Sequence, residues 1–306
     1  MKPPIHRPGI GAMATRSSIT VLPRIVQGAT DVSGHYDELD RVYREIWGEH
    51  VHHGYWRTGA ESPEEAVEAL IELVADRLAL LPGTEVCDIG CGYGATGEYL
   101  ARQYDVAVTG LTISAAQAKV AAARRPVAGS LDYRHGDWLT NGFADACFDA
   151  AFAIESSEHM VDKHAFFAQA FRTLRPGGRL VVCAWLARTG PGRWERRHLL
   201  EPICREGRLP GMGSREDYEA FAAQAGFEAI RFDDIGQAVR RTWSICARRL
   251  IGKLASDPYY RGLVLSRRTR NRDFILSLPR LMLALRTGAM RYGIFVWRKP
   301  EAGSPI

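Results

Sequence analysis

Val86-Cys87-Asp88-Ile89-Gly90-Cys91-Gly92-Tyr93-Gly94 is the stretch that decides the fold of this chain. Three apolar residues around one carboxylate read as a short strand, and three glycines at alternate positions follow it at once. Glycine reaches left-handed backbone angles without steric cost and lets a ligand approach the main chain closely. A strand that runs into such a turn and then into a helix, predicted over 95–103, opens a doubly wound α/β sheet, and ligands bind at that carboxyl end. A bare strand-to-helix turn needs neither the three glycines nor the carboxylate behind them.

Outward from the turn the pattern alternates. Strands are predicted over 85–89, 106–111, 131–134, 148–154, 179–185, 227–233 and 292–298, with helices over 114–124, 163–174 and 214–225. Short links between alternating elements require right-handed crossovers and a mostly parallel seven-stranded sheet covered on both faces. Upstream, Ser62-Pro63-Glu64-Glu65 combines an N-cap, a first-turn proline and a capping-box glutamate, and the helix it starts ends at Pro82-Gly83. Before that, an amphipathic helix is predicted over 35–48 from the spacing of Leu39, Val42, Tyr43, Ile46 and Trp47, and a loop rich in histidine and aromatics follows. Residues 1–33, broken by prolines and glycines, read as a flexible arm, 34–80 as a helical lid, and 81–300 as the sheet domain. That domain carries helical insertions at about 190–213 and 234–290, the second just before the last strand.

Of the 306 residues 46% are apolar and 25% charged, which excludes a disordered or fibrous chain. No apolar run approaches the length of a membrane-spanning helix. Six cysteines without CxxC pairs fit neither a disulfide scaffold nor a zinc site, and a reducing cytoplasm is the expected location. His50, His52 and His53 lack companions to complete a ligand set, so no metal is expected. Residues 240–291 hold thirteen Lys/Arg against Asp257 and Asp273, a balance of +11 that leaves the rest of the chain at −6. A mildly acidic body thus carries one basic segment.

Two ligands compete for the glycine turn. Gly92-x-Gly94-x-x-Gly97 satisfies the dinucleotide fingerprint, but that fingerprint wants an acid at the end of the second strand for the ribose. Here the strand ends Thr109-Gly110-Leu111-Thr112-Ile113-Ser114, without a carboxylate. Asp88 would face a pyrophosphate unfavourably and a cation favourably. A sulfonium is such a cation, which favours S-adenosylmethionine over a nicotinamide cofactor.

The run from Val86 to Gly94 resembles the first motif of class I S-adenosylmethionine-dependent methyltransferases. Further segments resemble the γ-tocopherol, sterol and small-molecule subgroup: Gly110-Leu111-Thr112-Ile113-Ser114-x-x-Gln117, Gly136-Asp137-Trp138, Glu155-Ser156-Ser157-Glu158-His159-Met160, and the leading Tyr36-Asp37, Trp47-Gly48 and His52-His53-Gly54-Tyr55. The resemblance implies that Gly90, Gly92 and Gly94 contact the methionine and ribose, with Asp88 polarising the turn or binding the cofactor's amino group through water. It also implies Thr112 and Ile113 at the ribose and adenine, Asp137 at the adenine amino group, Trp138 on the ring, and Tyr36 in a helix closing over the sulfonium. Gln117 matches a ribose-binding position, and Ser114-x-x-Gln117 reads equally as a capping box. Glu155 is expected to touch the cofactor and to assist catalysis.

Methyl transfer by in-line displacement depends on positioning, and a phenolic acceptor also gains from a base. His159 is the sequence's candidate for that base, with Glu155 and Glu158 orienting it; the same residues also read as an ordinary helix start. His53, Tyr55 and Glu158 are the candidate acceptor contacts. The expected acceptor is a hydrophobic aromatic or prenylated molecule, with carbon slightly ahead of oxygen. A more polar O- or N-methylated metabolite and a catalytically silent cofactor-binding module are the alternatives. For the basic segment three readings stand: a helical cap, an apolar pocket wall, or a peripheral contact with anionic membrane. No nucleic-acid motif accompanies it, so no nucleic-acid partner is expected. A homo-oligomer stays open.

Overall fold

The structure is a computed structural model and describes residues 19–125, 128–266, 271–301 and 303. Seven strands, β1 (Glu85–Ile89), β2 (Ala107–Thr112), β3 (Ser130–His135), β4 (Phe148–Ile154), β5 (Leu174–Ala187), β6 (Glu228–Asp234) and β7 (Met290–Arg298), form one sheet in the order β3-β2-β1-β4-β5-β7-β6. The first five run parallel, and β7 is antiparallel to both β5 and β6. From β1 the chain winds outward to β3, then crosses back to β4 and winds the other way. The carboxyl ends of β1 and β4 therefore flank the crevice where such sheets take their ligands. Central strands bury both faces, as the mostly apolar runs of β1 and β4, each carrying one aspartate, lead one to expect.

Arg175-Pro176-Gly177-Gly178, which lies between the helix predicted over 163–174 and the strand predicted over 179–185, forms an irregularity inside β5. Phe148 pairs with Leu174, Ala150 already pairs with Arg179, and Gly177 takes φ +79°. Helix α3 (Pro63–Leu78) starts as its capping box predicts: Glu65 N–H donates to Ser62 Oγ at 3.1 Å, and Ser62 N–H donates to the Glu65 carboxylate at 2.7 Å.

Two expectations upstream of α3 are corrected. The helix predicted over 35–48 is two helices, α1 (Ala29–Glu38) and α2 (Asp40–Ile46), broken at the fully buried Leu39 with ψ 13°. Apolar spacing of three and four persists through such a break, so the pattern cannot register it. The arm read as flexible over 1–33 is, in its described part, fixed to the body. Val21 is fully buried and exchanges both backbone hydrogen bonds with Met212, and Thr20 donates to the Asp217 carboxylate. Residues 1–18 lie outside the described residues. A single two-residue bridge has no sequence signature.

After β2 come Ser114 and helix α5 (Ala115–Ala121), and α4 (Ala95–Tyr104) follows the glycine turn. Asp37 of α1 accepts from Ser114 Oγ at 2.6 Å and from Ala116 N–H at 3.2 Å, so the first helix is latched onto the start of α5. Between β6 and β7 lie helices Gly236–Val239, Arg241–Ser256, Pro258–Leu265, Arg272–Leu276 and Leu278–Thr287. Their apolar stripes, including Trp243, Leu250, Tyr260 and Leu281, share one core with Leu39, Val42 and Ile46.

Candidate active site

Each glycine of the turn has its own reason. Gly90, Gly92 and Gly94 take φ +81°, +54° and +75°. A Cβ at Gly90 would stand 2.3 Å from Ser156 Cβ, and one at Gly94 would stand 2.8 Å from the Tyr133 ring, so the backbone is pressed against neighbouring strands. At Gly92 it would meet nothing within 4 Å. That glycine borders open space.

The space is a cavity of about 740 Å³, partly open to solvent. Gly90 and Gly92 form its floor with Thr112, which ends β2, and Ile113 and Gln117 beyond it, and Gly136, Asp137 and Trp138 follow from the end of β3. Thr112 Oγ1 donates to Gln117 Oε1 at 2.8 Å, and Ser114 Oγ accepts from Gln117 N–H at 3.2 Å. Half of the expected capping box is present; the glutamine side chain goes to Thr112 instead. Asp137 Oδ1 accepts from Leu139 N–H at 2.9 Å, and the Trp138 indole N–H donates to Phe166 O at 3.2 Å, which fixes both side chains at the cavity edge. Ala29, Val32 and Tyr36 of α1 supply the opposite wall.

Asp88 does not line the cavity. It is buried in β1 with Oδ2 lacking a hydrogen-bond partner, and burial raises its pKa to about 8. Gly94 likewise stays behind the lining residues. Both sit beneath the turn and shape it.

Glu155, at the end of β4 with φ +52°, is the clasp of the site. Its carboxylate accepts from His53 N–H at 2.7 Å, His53 Nδ1 at 2.9 Å, Trp185 Nε1 at 3.0 Å and Tyr292 Oη at 2.8 Å. Burial alone would raise its pKa, but the adjacent His53 and these donors win and hold it down at about 2. The carboxylate thereby ties the loop before α3 to β5 and β7. His53, expected at the acceptor, is buried in this clasp, and Tyr55 pairs its N–H with Ala66 O at 2.7 Å. Neither lines this cavity or the chamber beside it.

A second, smaller space, about 430 Å³ with its opening to solvent counted in, adjoins the first, sharing Tyr36, Val51, Glu155 and His159 as a partition. Tyr43, Trp47, Trp185, Trp243 and Phe274 make its walls aromatic, and Glu158 lines it too. Sequence reasoning missed the five aromatics as site residues; the only hint was the apolar character of the basic segment, which supplies Trp243 and Phe274.

The charges in the partition follow from burial. Tyr36 Oη and His159 Nε2 lie 2.9 Å apart, and burial lowers the His159 pKa to about 3. Burial raises Glu158 to about 7, although Trp185 N–H donates to it at 2.5 Å. Burial also lowers Lys163 to about 8, and its ammonium donates to the carbonyls of Glu158 and Met160. His52 Nδ1 meets His53 O at 2.9 Å, and both His50 and His52 meet the Thr96 hydroxyl, at 3.2 and 3.3 Å.

Comparison with known proteins bears on this arrangement. The family described as mycolic acid cyclopropane synthetase matches residues 24–256. The chain is 34% identical over 225 residues to 27-O-demethylrifamycin SV methyltransferase of Amycolatopsis mediterranei, covering 71% of this chain and 80% of that protein. It is 28% identical over 313 residues to the chloroplastic tocopherol O-methyltransferase of Arabidopsis thaliana, covering 95% and 87%. The solved cyclopropane synthase MmaA2 of Mycobacterium tuberculosis superposes with a TM-score of 0.76 at 25% identity, covering 90% of this chain and 100% of that one. The chain belongs to the mycolic acid cyclopropane synthetase family and is a class I S-adenosylmethionine-dependent methyltransferase of small molecules.

Proposed function

We propose that the cavity at the glycine turn holds S-adenosylmethionine and that the aromatic chamber beside it holds a hydrophobic, hydroxyl-bearing ring compound. The observation that carries this reading is the shared partition of Tyr36, Val51, Glu155 and His159 between the two spaces. The residues fit the cofactor: open space beside Gly92 admits a group against the main chain, and the buried Asp88 carboxyl lacks a partner behind the turn. Gly90, Gly92, Thr112, Ile113, Gln117, Asp137 and Trp138 would hold it. When bound, the cofactor supplies an electrophilic methyl group.

The chain's own residues do the rest. The indoles and phenols of the chamber exclude water and bury a flat apolar acceptor. Glu158 takes the base role that the sequence assigned to His159. A carboxylate raised to about 7 is poised to accept a proton near neutral pH, whereas an imidazole lowered to about 3 is a poor acceptor. His159 and Tyr36 form the partition and hold each other in place. Glu155, already committed to four donors, positions the loop and the chamber walls and borders both spaces from the partition.

The relatives named as O-methyltransferases support oxygen as the atom methylated, ahead of the carbon favoured by sequence alone. A ring carbon is the second reading, because the matching family is described by a reaction at carbon. The test is turnover with methyl-labelled cofactor against a panel of prenylated phenols and polyketide phenols, with extraction into organic solvent and NMR of the product. Label in the organic phase on an ether oxygen is expected. Transfer only to water-soluble acceptors would overturn the reading.

A further inference from the structure

Helices Arg241–Ser256 and Leu278–Thr287 pack beside one another, and neither contains an Asp or Glu. Their inward stripes build the core shared with α1 and α2. Helical spacing puts Arg241, Ser244, Arg248 and Ile251 on one outward face, and Pro279, Met282, Leu283 and Arg286 on the other. Ile251, Met282 and Leu283 are 65%, 38% and 42% exposed. An open groove runs between Arg241 and Ser244 of the first face and the whole of the second, bordered also by Arg57 and Arg240, while Arg248 and Ile251 continue the first face beyond it.

The groove's cations differ from their neighbours. Arg249, Arg280 and Arg291 are paired with Glu64, Glu206 and Asp234. Arg57, Arg240, Arg241 and Arg286 have no carboxylate partner among the described residues; Arg241 donates to Gly59 O and lies 5.8 Å from the centre of the Trp56 ring.

We propose that this face docks the protein peripherally on an anionic lipid bilayer. The four arginines meet headgroup phosphates, and Ile251, Met282 and Leu283 enter the boundary between headgroups and acyl chains. Aliphatic side chains interleaved with the cations distinguish the face from a nucleic-acid stripe, where exposed Met and Leu would gain nothing. Among the described residues no helix is long and apolar enough to cross a membrane, so the contact lies on the surface. The face also neighbours the acceptor's surroundings: Trp56 lines both the groove and a third cavity, and Trp47 lines both that cavity and the aromatic chamber. Delivery of a lipid-dissolved acceptor along this series rests on the proposed function; the docking does not.

The experiment is co-sedimentation of the full chain with phosphatidylcholine vesicles, with and without phosphatidylglycerol, at low and physiological ionic strength. Binding to the anionic vesicles alone, weakened by salt, is expected. Arg57→Ser with Arg286→Ser should weaken it roughly 25-fold, about fivefold per arginine. Met282→Ser with Leu283→Ser should weaken it at low salt, where charge alone would persist. Melting temperature and cofactor calorimetry on each variant identify those that fold, and unchanged cofactor heat separates a docking failure from failure of the methyltransferase reading. Equal binding to neutral vesicles, no binding to anionic vesicles at low salt, undiminished binding by both folded double variants, or displacement by duplex oligonucleotide would each overturn the proposal.

Discussion

Replacing Glu155 by Gln keeps the side chain's size and removes the charge from the clasp. In the native protein the carboxylate is 7% exposed, and its pKa stands at about 2 against an ordinary 4.5. At ~1.4 kcal/mol per pKa unit, this depression corresponds to about 3 kcal/mol of folding stability at neutral pH. Because the folded value is lowered, the contribution is present above pH 4.5 and lost as pH falls through about 2. Burial of a misplaced amide N–H against His53 and Tyr292 adds to the loss. Urea unfolding followed by tryptophan fluorescence at pH 7 should therefore place Glu155→Gln about 3 kcal/mol or more below the parent, and by pH 3 the ionisation part of that gap should fall to about half. Equal stability at pH 7 would refute the clasp. A gap that does not narrow at pH 3 would refute its ionised character.

Gly90→Ala and Gly92→Ala should separate turn geometry from ligand space. The first drives a Cβ to within 2.3 Å of Ser156 and should abolish both cofactor binding and a cooperative melt. The second costs about 1 kcal/mol for its left-handed backbone, yet isothermal titration should show at least a tenfold loss of cofactor affinity. Glu158→Gln should lower turnover 10²- to 10⁴-fold and erase the acid limb near pH 7 in a plot of log kcat against pH; an unchanged limb would assign it elsewhere. His159→Asn should leave that limb in place, since burial keeps the imidazole neutral throughout, while shifting KM for the acceptor.

The glycine turn, all seven strands and the cavity floor were legible because their chemistry is local. A glycine at every second position and an apolar run need no distant partner to be recognised. The clasp was not legible. Nothing around His53 tells that its ring meets Glu155, 102 residues away, and nothing around Trp185 or Tyr292 tells that they converge on the same carboxylate. The aromatic chamber was hidden for a related reason. Trp47, Trp243 and Phe274 recur at core-like helical spacing, and a side chain facing a cavity has the same periodicity as one facing a filled core. The base role read for His159 rested on an imidazole that titrates near neutrality, and the distant segments that bury it and lower it to about 3 leave no mark on the local sequence.

The latch between Asp37 and the start of α5 bears on the sequence of events in a catalytic cycle. The helix that walls the donor's space is fastened to the same turn whose Thr112 and Gln117 border that space. Unfastening it would widen the donor's exit, whereas the acceptor's room takes Trp185, Trp243 and Phe274 from other segments. Turnover should accordingly be ordered, with the sulfur compound first to arrive and last to depart.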